Sequence, residues 1–476
     1  MPACAYDLLD GPSRASFHRI KGPSKKMTLE RARKMTLAIA SRLEAIVIRL
    51  EAGRWLAVVR ASIFGSKAHL GDRRTTGLGP LAEWMRVQRT TPDSTWRARS
   101  FGRVRSLAAF VVGYCAFSWC SELQGFLLHR PKVPPSNPVG IPNKIWTWRG
   151  CQIRYQVLGE DNSGPSIVLL HGLLVNADHW RKNLPALADQ GARVYAIDLL
   201  GNGYTDRLVP GSPQAKNLSG ETARNLTEVE TELLLEKGVR QKVTVPQRHP
   251  LGSVYNIFTW SEQVTDFVRE IVQSEVILVG NSLGSLVSLQ AGIDAPELVQ
   301  GLVLVNPRFR QEHVSEAPAL ARPLISLVQR LLRETWLGQW LFDTLKTEAA
   351  VTEILKEPYF DPSQVTEELV EVLRRPLLME GAMESTFDIL SYSTGPLLEQ
   401  LLQDERLRSP IWVCWGQRDP WTPMKRVKAL DEFPNVEKLV EFPNVGHCPH
   451  DESPSLVNGL ILDFLQHLSS KASKPA

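Results

Sequence analysis

The pentapeptide Gly280-Asn281-Ser282-Leu283-Gly284 stands between an apolar run, Glu275-Val-Ile-Leu-Val-Gly280, and a helix-like stretch from Ser285 to Ala291. A glycine-x-serine-x-glycine string joining a strand to a helix demands a very tight turn. Side chains at 280 and 284 would collide with neighbouring backbone, and the serine is held in a strained conformation that pushes its hydroxyl outward. The string by itself is common in a chain of 476 residues and is most simply an ordinary Gly/Ser turn. Its strand-turn-helix setting and what lies downstream give it weight.

A serine hydroxyl is a poor nucleophile until a base takes its proton, and the base needs a carboxylate to orient it. On a strand-turn-helix scaffold of this kind, acid and histidine follow in that order at the ends of late strands. Pro410-Ile-Trp-Val-Cys-Trp-Gly416-Gln-Arg-Asp419-Pro420 reads as a buried strand ending in a turn that carries an acid, so Asp419 is the candidate acid. Glu437-Lys-Leu-Val-Glu-Phe442 followed by Pro443-Asn-Val-Gly-His447 places a histidine on a loop past a strand, and His447 is the candidate base. Taken singly, an Asp before Pro is a turn former and a loop His is a solvated side chain; the ordered set is what points to acyl transfer.

Acyl transfer also needs two donors for the oxyanion. Ser166-Ile-Val-Leu-Leu-His171-Gly172-Leu173 supplies a strand that stops at His-Gly, and the expected donors are the N–H groups of Leu173 and Leu283. Gly172 and Asn281 are expected to contact substrate. His171 is expected to brace the loop backbone. Leu199-Leu-Gly201-Asn-Gly203-Tyr-Thr-Asp206 is glycine-rich but lacks both the G-x-G-x-x-G spacing and a Lys-Ser/Thr ending, which argues against a phosphate loop.

The coarse order is strands near 144–149, 151–158, 166–171 and 192–198, a helix at 261–272, strands at 275–280 and 301–306, a long helical excursion, strand 410–415, a helix from about 422, strand 437–442 and a closing helix 454–468. Such alternation implies an α/β fold with a mostly parallel sheet covered by helices on both faces. Residues 207–254 read as a polar, strand-poor insertion with acids at Glu228, Glu230, Glu232 and Glu236. Residues 308–400 read as a helical lid after the sixth strand, dense in Leu and Trp from Leu324 to Phe342. Those side chains either line an apolar acyl or alkyl channel or pack on each other and the sheet.

From about 144 to 468 the chain resembles the α/β-hydrolase superfamily, and within it the plastid group that includes chlorophyll dephytylase and pheophytinase. The resemblance rests on Asp178-His-Trp-Arg-Lys-Asn183, Tyr255-Asn-Ile-Phe-Thr-Trp-Ser-Glu-Gln263, Gly280-Asn-Ser-Leu-Gly284, Trp415-Gly-Gln-Arg-Asp-Pro-Trp421 and Gly446-His-Cys-Pro-His-Asp-Glu452. It implies a serine esterase acting on the phytyl ester of chlorophyll or pheophytin in a chloroplast, with thylakoid association as a further expectation. Ser285, where a second glycine is expected, and the insertion after Asp206 depart from the group's pattern; the second touches the entrance and bears on the substrate. A plastid lipid esterase or an acyltransferase keeps the same machinery. Epoxide hydrolases and dehalogenases of this fold use an Asp nucleophile, against which Ser282 argues.

Residues 1–105 carry 21 Lys and Arg against 8 Asp and Glu, a net of +13; with a total of +4, residues 106–476 carry −9. A mildly acidic body behind a basic arm argues against a nucleic-acid substrate. The arm, residues 1–130, fits a plastid or mitochondrial transit segment better than a secretory signal. Within it, 36–64 reads as a basic amphipathic helix. The uncharged stretch 106–121 is short for a bilayer span and is left open as a targeting segment, a surface anchor or a packed helix. A Pro-rich linker is expected at 131–143 and the catalytic domain at 144–470. Cys4, Cys115, Cys120, Cys151, Cys414 and Cys448 show no zinc-like spacing, so no metal and no cofactor is expected. Cys448 reads as packing, Asp451 and Glu452 as tethers of the His447 loop with Asp451 a fallback acid, and Trp415 and Trp421 as core. The expected partner is a small hydrophobic ester, with peripheral membrane association beside it.

Overall fold

Eight strands form one sheet: β1 (Asn143–Trp148), β2 (Cys151–Leu158), β3 (Ser166–Leu170), β4 (Arg193–Ile197), β7 (Val276–Asn281), β8 (Val299–Val305), β9 (Ile411–Gly416) and β10 (Val436–Phe442), in the spatial order β1-β2-β4-β3-β7-β8-β9-β10. β1 and β2 run antiparallel at one edge, and every pair from β4 through β10 is parallel. The computed structural model describes residues 133–209, 212–218, 228–234, 240–247, 253–309, 322–391, 395–422 and 424–472. The expectations for 1–130, including 36–64 and 106–121, lie outside them.

The central strands are mostly apolar because both of their faces are covered over most of their length. Val168 and Leu170 of β3 join one core cluster, whereas Ile167 and Leu169 of the same strand join the other. Around the sheet lie α1 (Leu184–Ala188), α2 (Ile257–Phe267), α3 (Leu283–Asp294), a run of helices between β8 and β9, and α9 (Pro454–Ala472). Trp260, Val264 and Phe267 of α2 and Leu286, Val287 and Leu289 of α3 cover the first face; Leu184 and Leu187 of α1 and Val457, Ile461 and Phe464 of α9 cover the second. The run includes α4 (Arg322–Glu334), α5 (Trp336–Leu345), α6 (Glu348–Lys356), α7 (Glu367–Arg374) and α8 (Ala382–Leu390), with a short helix at Leu398–Leu402 before β9, and it follows the sixth strand of the sheet.

Three local expectations change. The 207–254 insertion is not strand-poor: β5 (Glu228–Leu234) and β6 (Arg240–Pro246) pair as an antiparallel hairpin, separate from the main sheet. The run of glutamates hides a period-two alternation with Val229, Thr231 and Leu233, which is a strand signal. The Pro-rich stretch does not behave as a free linker over its described part, 133–143. Asn137 and Ile141 are buried, Asn137 Nδ2 donates to Asp178 Oδ1 at 3.0 Å, and Ser136 bridges Pro142. The helix expected from 261 starts at Ile257, because Asn256 Oδ1 accepts from Thr259 N at 3.0 Å and caps it.

A buried ion network closes the β4 end of the sheet. Arg154, fully buried on β2, donates Nε and Nη2 to Asp198 at 2.7 and 2.8 Å and Nη1 to Asp178 at 3.0 Å. Asp198 also accepts from Ala177 N and Tyr204 N, each at 2.8 Å, so the glycine-rich loop wraps a carboxylate of its own chain.

Candidate functional site

The parallel register brings the catalytic candidates to one edge. Leu170 of β3 is level with Gly280 of β7, Asn281 with Val305 of β8, Val305 with Cys414 of β9, and Gly416 with Phe442 of β10. Ser282 is the first residue beyond β7, Asn306 the first beyond β8, Asp419 follows β9 and His447 follows β10.

Ser282 adopts φ 54 and ψ −111, a backbone that a non-glycine residue holds only when its surroundings dictate it. A Cβ at Gly280 would strike the backbone of Gly284, and one at Gly284 would strike the Leu170 carbonyl oxygen. The turn is pinned on both sides by Ser282 N donating to Val305 O at 3.0 Å and Arg308 N donating to Ser282 O at 3.2 Å. Ser285, where the sequence departs from glycine, donates Oγ to Gly280 O at 2.6 Å and so braces the same turn.

His447 Nδ1 lies 2.6 Å from Asp419 Oδ2. That carboxylate also accepts from Asn306 Nδ2 at 2.8 Å, and its Oδ1 accepts from Trp421 N at 2.8 Å. Burial works to raise the Asp419 pKa, but the imidazole and these donors outweigh it and hold the carboxyl below its usual range. With Nδ1–H given to a carboxylate, Nε2 carries the lone pair of a general base. It is buried and has no hydrogen-bond partner among the described residues. Asn281 Nδ2 donates to His447 O at 3.3 Å and to Val305 O at 3.1 Å, tying the base loop to the nucleophile's strand.

On the other side of Ser282, a Cβ at Gly172 would sit 2.9 Å from Asn281 Oδ1 and 3.5 Å from Ser282 Cβ, so the bare backbone of the β3 loop abuts the nucleophile. Among the described residues the N–H groups of Leu173 and Leu283 donate to no protein acceptor, and Leu283 opens α3, where helix amides are unspent. His171 is fully buried, accepts from Leu199 N on Nε2 at 3.0 Å and lies 2.7 Å from Gly172 O through Nδ1, with its pKa pulled down by burial. It braces loop backbone.

Asp451 is not a second acid for His447. It accepts from Arg181 Nη1 at 2.6 Å and from Tyr359 OH at 2.9 Å, because the short helix Pro449–Glu452 turns it away from the base. Tyr359 OH lies 3.0 Å from His179 Nε2, and His179 Nδ1 lies 3.2 Å from His450 Nε2. Burial drives the His179 pKa down to about 4 and holds that of His450 well below the usual imidazole range. Glu452, by contrast, tethers the base loop: its Oε2 accepts from Gly446 N at 2.7 Å and its Oε1 from Asp361 N at 2.8 Å. His447 N itself donates to Pro358 O at 2.7 Å. Cys448 is buried beside Tyr359, Leu369 and Leu373, and burial pushes its thiol well up, as a packing cysteine requires. Among the described residues no group of three or more His, Cys, Asp or Glu is placed to hold a metal, and no helix is long and apolar enough to cross a membrane.

A family model described as the alpha/beta hydrolase fold matches residues 165–454. The chain belongs to the α/β-hydrolase family. This α/β hydrolase is 31% identical over 336 residues to "Pheophytinase, chloroplastic" of Arabidopsis thaliana, a match covering 67% of the chain and 65% of that relative. It is 24% identical over 328 residues to "Uncharacterized hydrolase YugF" of Bacillus subtilis, covering 68% of the chain and 98% of the relative. It is also 25% identical over 320 residues to the "Dihydrolipoyllysine-residue acetyltransferase component of acetoin cleaving system" of Pseudomonas putida, with 67% of each covered.

The structure adds to the sequence-based set. Asn306, at φ 43, gives its Nδ2 to Asp419 and accepts Gly416 N on Oδ1 at 3.0 Å. An asparagine just past a strand is the available signal, but it needs the register of β8 and β9 to acquire meaning. Trp421, expected in the core, is half-buried and tilts against the His447 ring at a centroid distance of 4.4 Å. Of the Leu/Trp-rich residues at 324–342, Phe342 packs on Phe387, while Trp336 and Trp340 are 73% and 61% exposed.

Proposed function

We propose that this α/β hydrolase cleaves a hydrophobic carboxylic ester through Ser282, His447 and Asp419. The observation that carries the reading is the 2.6 Å pair of His447 Nδ1 with the buried side chain of Asp419, its Nε2 left without a partner among the described residues, on the same sheet edge as a serine at φ 54. His447 takes the Ser282 proton as Oγ adds to the ester carbonyl. The Leu173 and Leu283 amides hold the oxyanion, with Gly172 and Asn281 shaping the space beside it. The imidazolium then protonates the departing alcohol, and water, activated by the same histidine, releases the acid. The sequence calls for neither metal nor cofactor in these steps.

The substrate supported best is the phytyl ester of chlorophyll or pheophytin in a plastid, by the 31% identity to a protein named as a chloroplastic pheophytinase. The α4–α8 run acts as a lid in this reading, since Pro358 and Asp361 touch the base loop. Exposed Leu327, Leu331, Trp336 and Trp340 on α4 and α5 provide the face for peripheral membrane, including thylakoid, association. An acyltransferase is the second reading, favoured by the similarity to an acetyltransferase component.

The test is phytol release from chlorophyll a and pheophytin a by the wild-type chain and by Ser282→Ala, with a medium-chain p-nitrophenyl ester as control. Release by wild type alone supports dephytylation. Hydrolysis of the control without phytol release refutes the pigment substrate and keeps the triad, and transfer to an added alcohol in preference to water favours the second reading.

A further inference from the structure

Three arginines are deeply buried among the described residues, and only two of them are neutralised. Arg154 is matched to Asp178 and Asp198, and Arg181 to Asp451 and Glu368. Arg207, 8% exposed, has no carboxylate within ion-pair distance among the described residues. Its Nη2 donates to the backbone carbonyls of Gly203 at 2.9 Å and Pro376 at 3.0 Å, and its Nη1 reaches only the Met379 sulfur at 3.9 Å. Its Nε is buried with no partner among the described residues. The acidic groups nearest in influence are Tyr255, Asp198, Asp206 and Glu384, none of which forms an ion pair with it. Burial lowers its pKa, yet a guanidinium keeps its proton at any physiological pH. A buried charge left this way is expensive unless something completes it.

Arg207 lines a cleft together with Leu174, Val175, Gly203, Leu373 and Leu377. The cleft takes in about 280 Å³ of space, part of it open to solvent. Leu174 directly follows Leu173, the expected oxyanion donor, so the cleft begins where the oxyanion loop ends.

We propose that Arg207 anchors a subsite for a second oxygen acceptor, a carboxylate above all, carried by the acid half of the ester. This deepens the ester-hydrolase reading and rests on it for the identity of the bound molecule. An anionic or carbonyl oxygen in the cleft that Arg207 lines meets a full positive charge at low dielectric, where such an interaction is strong. The subsite separates two substrate classes: a tetrapyrrole acid carries additional carbonyl oxygens, whereas a fatty acyl chain offers none.

The experiment compares p-nitrophenyl hemiglutarate with p-nitrophenyl pentanoate on the full chain, as wild type, Arg207→Gln and Arg207→Lys. Wild type is expected to favour the hemiglutarate, and the ratio of the two kcat/KM values is expected to fall about tenfold or more in Arg207→Gln and less in Arg207→Lys. Because the ratio is internal to each variant, partial unfolding cancels. A wild-type preference for the neutral ester, or an unchanged ratio in Arg207→Gln, overturns the subsite and leaves Arg207 as a backbone latch. If neither ester is cleaved and a fluorophosphonate fails to label Ser282, the esterase reading falls instead. Calorimetric titration with glutarate then decides the subsite alone: binding by wild type and Ser282→Ala but not Arg207→Gln supports it, and no binding by wild type, or equal binding by all three, overturns it.

Discussion

Replacing Asn306 with glycine isolates the one side chain that both positions the candidate acid and fastens the neighbouring strand. Glycine accepts the φ of 43 found there, so the backbone is not strained by the change. Two bonds disappear, the 2.8 Å donation to Asp419 Oδ2 and the 3.0 Å acceptance from Gly416 N. The first is a bond to a buried charge, of about 1.5–3 kcal/mol, which corresponds to roughly 10–100-fold in rate if it acts by orienting His447. The second adds about 1 kcal/mol of stability. We therefore expect kcat on a p-nitrophenyl ester to fall about 10–100-fold with KM within about twofold. The donors hold the Asp419 pKa below its unfolded value, which adds stability above that value and loses it as pH falls through the folded pKa. Removing one donor raises the folded pKa, so acid unfolding of the variant should begin at higher pH. A kcat within twofold of wild type, with the same acid limb, would refute the positioning role.

Ser282→Gly should be more stable than Ser282→Ala by about 1–2 kcal/mol in chemical denaturation, because only glycine relieves the backbone at φ 54; equal midpoints would mean the elbow stores no strain. Arg154→Met should lower stability by about 3–5 kcal/mol, since it strands the carboxylates of Asp198 and Asp178, and a loss under about 1 kcal/mol would contradict the network. His179, with its pKa driven to about 4, binds a proton more readily unfolded than folded, so its contribution is present above about pH 6.5 and is lost as pH falls toward 4. Unfolding free energy should fall by about 2 kcal/mol more between pH 7 and pH 5 in wild type than in His179→Gln, and parallel pH profiles would rule this out.

The sheet was legible because β3, β7, β8 and β9 are buried on both faces over most of their length and so read as mostly apolar runs, and the elbow was legible because sterics demand its glycines. Asp419 and His447 could be named because each stands just past such a run. Asn306 could not, because nothing in its own neighbourhood separates a strand-ending asparagine from one that holds a carboxylate; its role exists only once β8 lies beside β9. Asp451 failed as a fallback acid for a related reason: sequence distance from His447 is short, but the helix Pro449–Glu452 directs it to Arg181 and Tyr359. The hairpin β5–β6 was obscured by its glutamates, which mark solvent exposure as readily in a strand as in a loop. Arg207 carries no local signal at all, since an unpaired buried charge is defined by what does not approach it.

The base loop is held from two directions, and this bears on how substrate entry and chemistry are linked. From the sheet side, Asn281 grips the His447 carbonyl. From the helical run, Pro358 O receives the His447 amide and Glu452 joins Gly446 to Asp361, so the segment that begins at Pro358 shares hydrogen bonds with the residue that must stay aligned to Asp419. Tyr359, between those contacts, is bonded to both Asp451 and His179. Any displacement of 358–361 must therefore break donors on both sides of His447 or carry the base with it. The bridging carboxylate of Glu452 gives the smallest change that separates those outcomes: Glu452→Gln keeps the shape and can still accept one amide, so it should loosen the base with Ser282 untouched. Fluorophosphonate labelling of Ser282, which depends on the base, should slow by about tenfold, while unchanged labelling would show that the sheet-side grip of Asn281 is sufficient.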